Sequence, residues 1–85
     1  MPLLEGTIAI LNDEGGSFNV LFTPQSGAGG PEKAHYVANA DALEHFMTVI
    51  GCPMSQQQVQ DARADRKIAP FGLRAIERDI YDKYF

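Results

Sequence analysis

Apolar residues recur at every second position near the start of the chain and at every third or fourth position after Asn39. These two periods belong to strands and to helices. Leu4, Gly6, Ile8 and Ile10 share one face of an extended segment, with Glu5, Thr7 and Ala9 on the other. The run from Asn12 to Ser17 concentrates turn formers, and Gly15 and Gly16 can take the positive φ that a hairpin reversal needs. Phe18, Val20 and Phe22 resume the alternation, which sets them across from Ile8 and Ile10, and Pro24 ends the strand. A third strand is expected over residues 33–38, which are β-prone at their centre. Between the last two strands, residues 25–31 form a Gly-rich stretch too poor in side chains to pack, so a flexible surface loop is expected there.

Asn39 is a good N-cap, and Leu43, Phe46, Met47 and Ile50 then fall at i, i+3, i+4 and i+7. Asp41 and Glu44 place negative charge in the first turn, Gly51 can close the helix in the left-handed conformation, and Pro53 forbids continuation. Ser55-Gln56-Gln57-Gln58 has the form of a capping box, so a second helix is expected from Gln56 to near Lys67, with a thin apolar face of Val59 and Ala62. From about Phe71, the spacing of Leu73, Ile76, Ile80 and Tyr84 predicts a third helix, its stripe widened by Tyr81 and Phe85.

Strands followed by helices are the segregated order of an α+β domain. The expectation is one domain over residues 1–85. It has a three-stranded antiparallel sheet, made of a β-hairpin plus a third strand, covered on one face by two or three C-terminal helices. Leu11 and Leu21 fall on the opposite face and are candidates for a contact surface.

The residues offer little site chemistry. Cys52 lies between Gly51 and Pro53, at a helix C-terminus whose partial negative charge opposes thiolate formation, so it reads as a structural thiol. His35, His45 and Cys52 match no compact zinc pattern. Residues 27–30 lead into a strand, whereas a phosphate-binding loop leads into a helix N-terminus. The carboxylate pairs Asp13-Glu14 and Asp61/Asp65 lie in a turn and on a charged helix face, so both read as solvated. No catalytic activity, metal or cofactor is expected.

A single cysteine points to a reducing, cytoplasmic setting, and no membrane segment is visible. The net charge of −4 opposes general attraction to phosphates. A local excess of base occurs only toward the C-terminus, in Arg63, Arg66, Lys67, Arg74 and Arg78. That cluster supports an alternative reading as a helix-turn-helix-like DNA-binding regulator using residues 56–85, with the helix bearing Arg74 and Arg78 as the reader. A small enzyme or ligand-binding domain is a second alternative. The leading expectation is an acidic protein-interaction or assembly module, its partner another protein or a second copy. Tyr81, Tyr84 and Phe85, with Arg74 and Arg78, are its candidate contact residues.

Overall fold

The structure, a computed structural model, describes residues 3–25 and 31–85. The expected loop over residues 25–31 falls mostly outside the described residues. The described chain runs β1 (Leu3–Asn12), a single 3-10 turn (Glu14–Gly16), β2 (Phe18–Pro24), β3 (Lys33–Val37), α1 (Ala40–Val49), α2 (Gln56–Arg63), β4 (Gly72–Glu77) and α3 (Arg78–Tyr84). The four strands form one antiparallel sheet in the order β3-β2-β1-β4.

The hairpin matches the sequence reading. Gly15 and Gly16 take φ of 81° and 82° in the reversal, and Ile8 pairs with Phe22 and Ile10 with Val20. The alternation becomes an inner face on which Leu4, Ile8, Ile10, Phe18, Val20 and Phe22 are all buried. Gly6 belongs to this row for a specific reason. A Cβ there would collide with the Thr23 carbonyl oxygen and would lie 2.7 Å from Phe22 Cζ, so the Phe22 ring occupies the space a side chain would need.

Helix α1 starts as expected: Asn39 Oδ1 accepts a hydrogen bond from the Ala42 amide at 2.8 Å. It ends at Gly51, with φ of 85°. Its Leu43, Phe46 and Met47 join the same buried cluster as the inner strand residues. The capping box of α2 also forms. Ser55 Oγ accepts from the Gln58 amide at 3.2 Å, while Gln58 Oε1 accepts from the Ser55 amide at 2.8 Å. Gln58 Nε2 in addition donates to the Ala69 carbonyl at 2.9 Å, tying the start of α2 to the segment that enters β4. The helix is shorter than expected, stopping at Arg63, and Asp65 adopts a left-handed φ of 56° just beyond it.

The largest correction concerns the third helix. Its expected first half, Gly72–Glu77, is strand β4, so the sheet has four strands and not three. Leu73, Ile76 and Ile80 do have helical spacing, but Ile76 alone in β4 is buried, opposite Leu4 of β1. Strand β1 is ten residues long, and with β2 on one side its other edge would leave a row of backbone groups without partners. Pairing residues 72–77 along that edge satisfies them, a gain that a local helix cannot supply. Only Arg78–Tyr84 remain helical.

Candidate binding surface

Because β-strand side chains alternate, the residues between the buried ones form a second, outer face. Cross-strand register arranges them in rows. One row runs Tyr36, Asn19, Leu11, and the next Ala34, Leu21, Ala9. Thr23, Thr7 and Leu73 follow, then Glu5 beside Ala75, then Leu3 beside Glu77. Among the described residues the exposed large hydrophobics are Leu3 (62%), Leu11 (51%), Tyr36 (61%), Val49 and Leu73 (49%), and all but Val49 lie on this outer face.

Charge lies at both ends of the face: the Asp13 carboxylate accepts a hydrogen bond from Asn19 Nδ2 at one end, and glutamates stand at the other. Glu5 and Glu77 lie toward the Leu3 end, and Glu32 reaches the β2 row by accepting a hydrogen bond from Thr23 Oγ1 at 3.0 Å. The row of Ala34, Leu21 and Ala9 carries no ionisable side chain, and the row of Tyr36, Asn19 and Leu11 has the Tyr36 phenol and, bound to Asn19, the Asp13 carboxylate. Beyond Leu11, β1 has no β4 neighbour, since that pairing stops at Ile8. The gap is bordered by the segment after α2, held by a 2.9 Å hydrogen bond from Asn12 Nδ2 to the Arg66 carbonyl. A groove of about 290 Å³ opens there, lined by Ile10, Leu11, Asn12, Asp65 and Lys67.

The C-terminal aromatics are positioned differently from the outer face. Tyr81 is 2% exposed, and its ring packs 5.5 Å from that of Phe22 and 5.8 Å from that of Phe85. Phe85 and Tyr84, half-buried, both pack against Phe46, at 5.9 and 5.5 Å. The terminus therefore contributes to the core, and what it presents outward is the remainder of Tyr84 and Phe85. Arg78 caps this cluster, its guanidinium 5.6 Å from the Tyr81 ring and 3.4 Å from Asp82. Arg74 is on β4, with Nη1 donating to the Leu73 carbonyl at 2.8 Å, so the reader helix that a helix-turn-helix arrangement needs is interrupted by strand. Farther along, Arg63 bridges Asp41 and Glu44 of α1 at 3.2 and 3.4 Å, and Arg66 meets Asp61 at 3.1 Å. Much of the basic cluster thus has acidic neighbours.

Compared with known protein families, curated proteins and solved structures, the chain matches none.

The remaining candidates for chemistry are dispersed. Cys52 is 4% exposed, and burial pushes its thiol pKa up, with the Arg74 charge opposing that shift in part. His35 stacks on Phe46, ring centroids 4.1 Å apart, and donates from Nδ1 to the Tyr84 carbonyl at 2.9 Å. It joins β3 to the chain end, while His45 is exposed on α1. Among the described residues no group of three His, Cys, Asp or Glu side chains is arranged to hold a metal ion. No helix among them is long and apolar enough to cross a membrane.

The period-two pattern already placed Leu11 and Leu21 on the outer face. Leu73 escaped it because its segment reads as helix, and Tyr36 because the five-residue β3 is too short to fix its phase from sequence. Leu3 stood one residue before the expected start of β1.

Proposed function

We propose that this chain is a non-catalytic protein-interaction or assembly module acting in the cytoplasm, and that the outer face of its sheet is the contact surface. In this reading the helices lie over the inner face and leave the outer one for a partner. One observation supports it above others: Leu3, Leu11, Tyr36 and Leu73 are all exposed on the same face of the sheet. Exposed faces of antiparallel sheets ordinarily carry polar residues, and clustered apolar groups mark interaction sites. The cytoplasmic setting is supported by the one cysteine, which is a free, buried thiol.

Site-specific photo-crosslinking in the native cell tests the reading. A photoreactive phenylalanine at Leu21 or Leu73 should give discrete adducts with protein, while the same group at Gln57 on the exposed side of α2 should not. If neither outer-face position yields an adduct, with a second copy or with another protein, the reading fails.

A further inference from the structure

We infer that the far end of β1 is a docking site for an extended peptide, which adds as a short strand beside Ile10, Leu11 and Asn12 and is selected by an acidic and a basic side chain flanking an apolar one. The site lies on the edge of the sheet, so it does not depend on the outer-face contact proposed above.

The ladder fixes the direction of the backbone groups. The Glu5 carbonyl accepts from the Gln25 amide and the Asp13 amide donates to the Ser17 carbonyl, both at 2.9 Å, so the odd-numbered residues of β1 bond toward β2. The even-numbered ones face the other way, and the Ile8 carbonyl accepts from the Phe71 amide at 2.9 Å. Ile10 and Asn12 continue this series beyond the point where β4 stops, with N–H and C=O directed to the groove that they and Leu11 line. Among the described residues no hydrogen bond reaches those groups. Ile10 is 5% exposed, and a buried backbone N–H and C=O without partners are costly and rare.

The segment that leads into β4 does not supply the partners. Pro70 has no N–H, and the Ala69 carbonyl is engaged by Gln58 Nε2 at 2.9 Å, which draws the segment toward α2. Farther back, the Arg66 carbonyl accepts from the Asn12 side chain at 2.9 Å, and Asn12 belongs to the inner row of β1. These contacts hold the edge open. The resulting slot of about 290 Å³ is near the lower end of ligand-binding pockets.

Strand geometry states what fits. Donors and acceptors on this pitch match another extended backbone, as residues 72–77 demonstrate on the same edge. An incoming strand laid antiparallel, like β4, sets one residue opposite Leu11 with its side chain on the outer face. Its neighbour there is apolar, so an apolar side chain suits it. The residues before and after it, opposite Asn12 and Ile10, point to the inner side, where Asp65 and Lys67 line the groove. Neither of these has an ion-pair partner among the described residues, whereas Arg63 and Arg66 are both bridged to acids. A carboxylate and an ammonium left in this way complement a base and an acid two residues apart in the ligand.

Panning a phage-displayed library of random heptapeptides against the full chain, with synthesis of the enriched sequences, tests the inference. The enriched peptides should place an apolar residue between an acid and a base, in either order, and bind with Kd below about 1 mM. Two-dimensional amide spectra should shift at Ile10, Leu11, Asn12 and Lys67. Lys67→Glu should weaken binding about threefold or more, and Lys83→Glu, on α3, should leave it within about twofold. Both lysines are exposed, so thermal melts can confirm that the variants fold. Methylating the peptide backbone one amide at a time separates strand addition from side-chain binding. The loss should alternate, strong at the residues set against Ile10 and Asn12 and slight at the apolar one between them, because only alternate N–H groups face β1. Indifference or uniform loss along the peptide overturns the inference, as does a library that enriches no binder. Shifts confined to Tyr36 and Leu21 overturn it too, while leaving the outer face its binding role.

Discussion

In strand β1, Ile8 is wholly buried and Thr7, its neighbour, is exposed; in β2 the same holds for Phe22 and Thr23. The two faces of this sheet are built from adjacent residues of the same strands, yet they place opposite demands on the side chains. On the inner face Leu4, Ile8, Ile10, Phe18, Val20 and Phe22 share one buried cluster with Leu43, Phe46, Met47 and Tyr81, where shape is critical. On the outer face the side chains meet water, and several are apolar without a structural need to be. An apolar residue that does not support the fold is the more informative of the two about function.

Substitutions can sharpen or break that comparison. The largest effect is expected at the core side of α1. Phe46→Ala removes a ring that stacks on His35 and packs against Tyr84 and Phe85, and should cost about 3–5 kcal/mol in urea unfolding. A cost under about 1 kcal/mol would mean that the inner face is loosely packed.

Deleting Tyr84 and Phe85 comes next. It removes ring contacts to Phe22, Phe46 and Tyr81 and the carbonyl acceptor of His35, so the melting temperature should fall with a loss of about 2–4 kcal/mol. If the shortened chain is as stable as the parent, the terminal aromatics are available to a partner and the contrast with the outer face narrows.

Gly6→Ala should cost about 1–3 kcal/mol, because the added methyl meets both the Thr23 carbonyl and the Phe22 ring. Gly6 sits between the outer-face residues Glu5 and Thr7, so the strand changes from intolerant to tolerant within one step.

Cys52 gives a pH-dependent contrast. Burial raises its pKa in the folded chain, so its protonated form contributes stability that is full below the ordinary thiol value of 9.0 and is lost as pH rises through the raised value. Denaturant midpoints measured on either side of 9.0 should therefore decline more steeply for the parent than for Cys52→Ala. Equal slopes would show that the thiol is open to solvent.

The smallest effect is expected on the outer face. Leu11→Gln and Leu73→Thr should change monomer stability by less than about 0.5 kcal/mol, while any contact made by that face weakens. Destabilisation of the monomer comparable with Phe46→Ala would remove the distinction between the faces, and with it the reason for assigning the outer one to a partner.

Local chemistry alone determined much of this protein. The turn at Gly15-Gly16, the Asn39 cap, the Gly51 stop and the Ser55-Gln58 capping box each depend on residues within a few positions of one another, and each formed where the sequence placed it. The inner row from Ile8 to Phe22 was legible too, because alternation fixes which side chains share a face whatever lies beyond the strand. Residues 72–77 were not legible. Their spacing suits a helix, but their state is set by the vacant edge of β1, which is almost seventy positions away in sequence and whose backbone groups require partners. The candidate surface shares that dependence. Leu11 and Leu21 could be assigned to it from alternation, but Leu73 joins them only because β4 pairs with β1, and the groove beside Leu11 exists only because that pairing ends at Ile8. Strand pairing between distant segments, which no local pattern encodes, decided where the surface begins and ends.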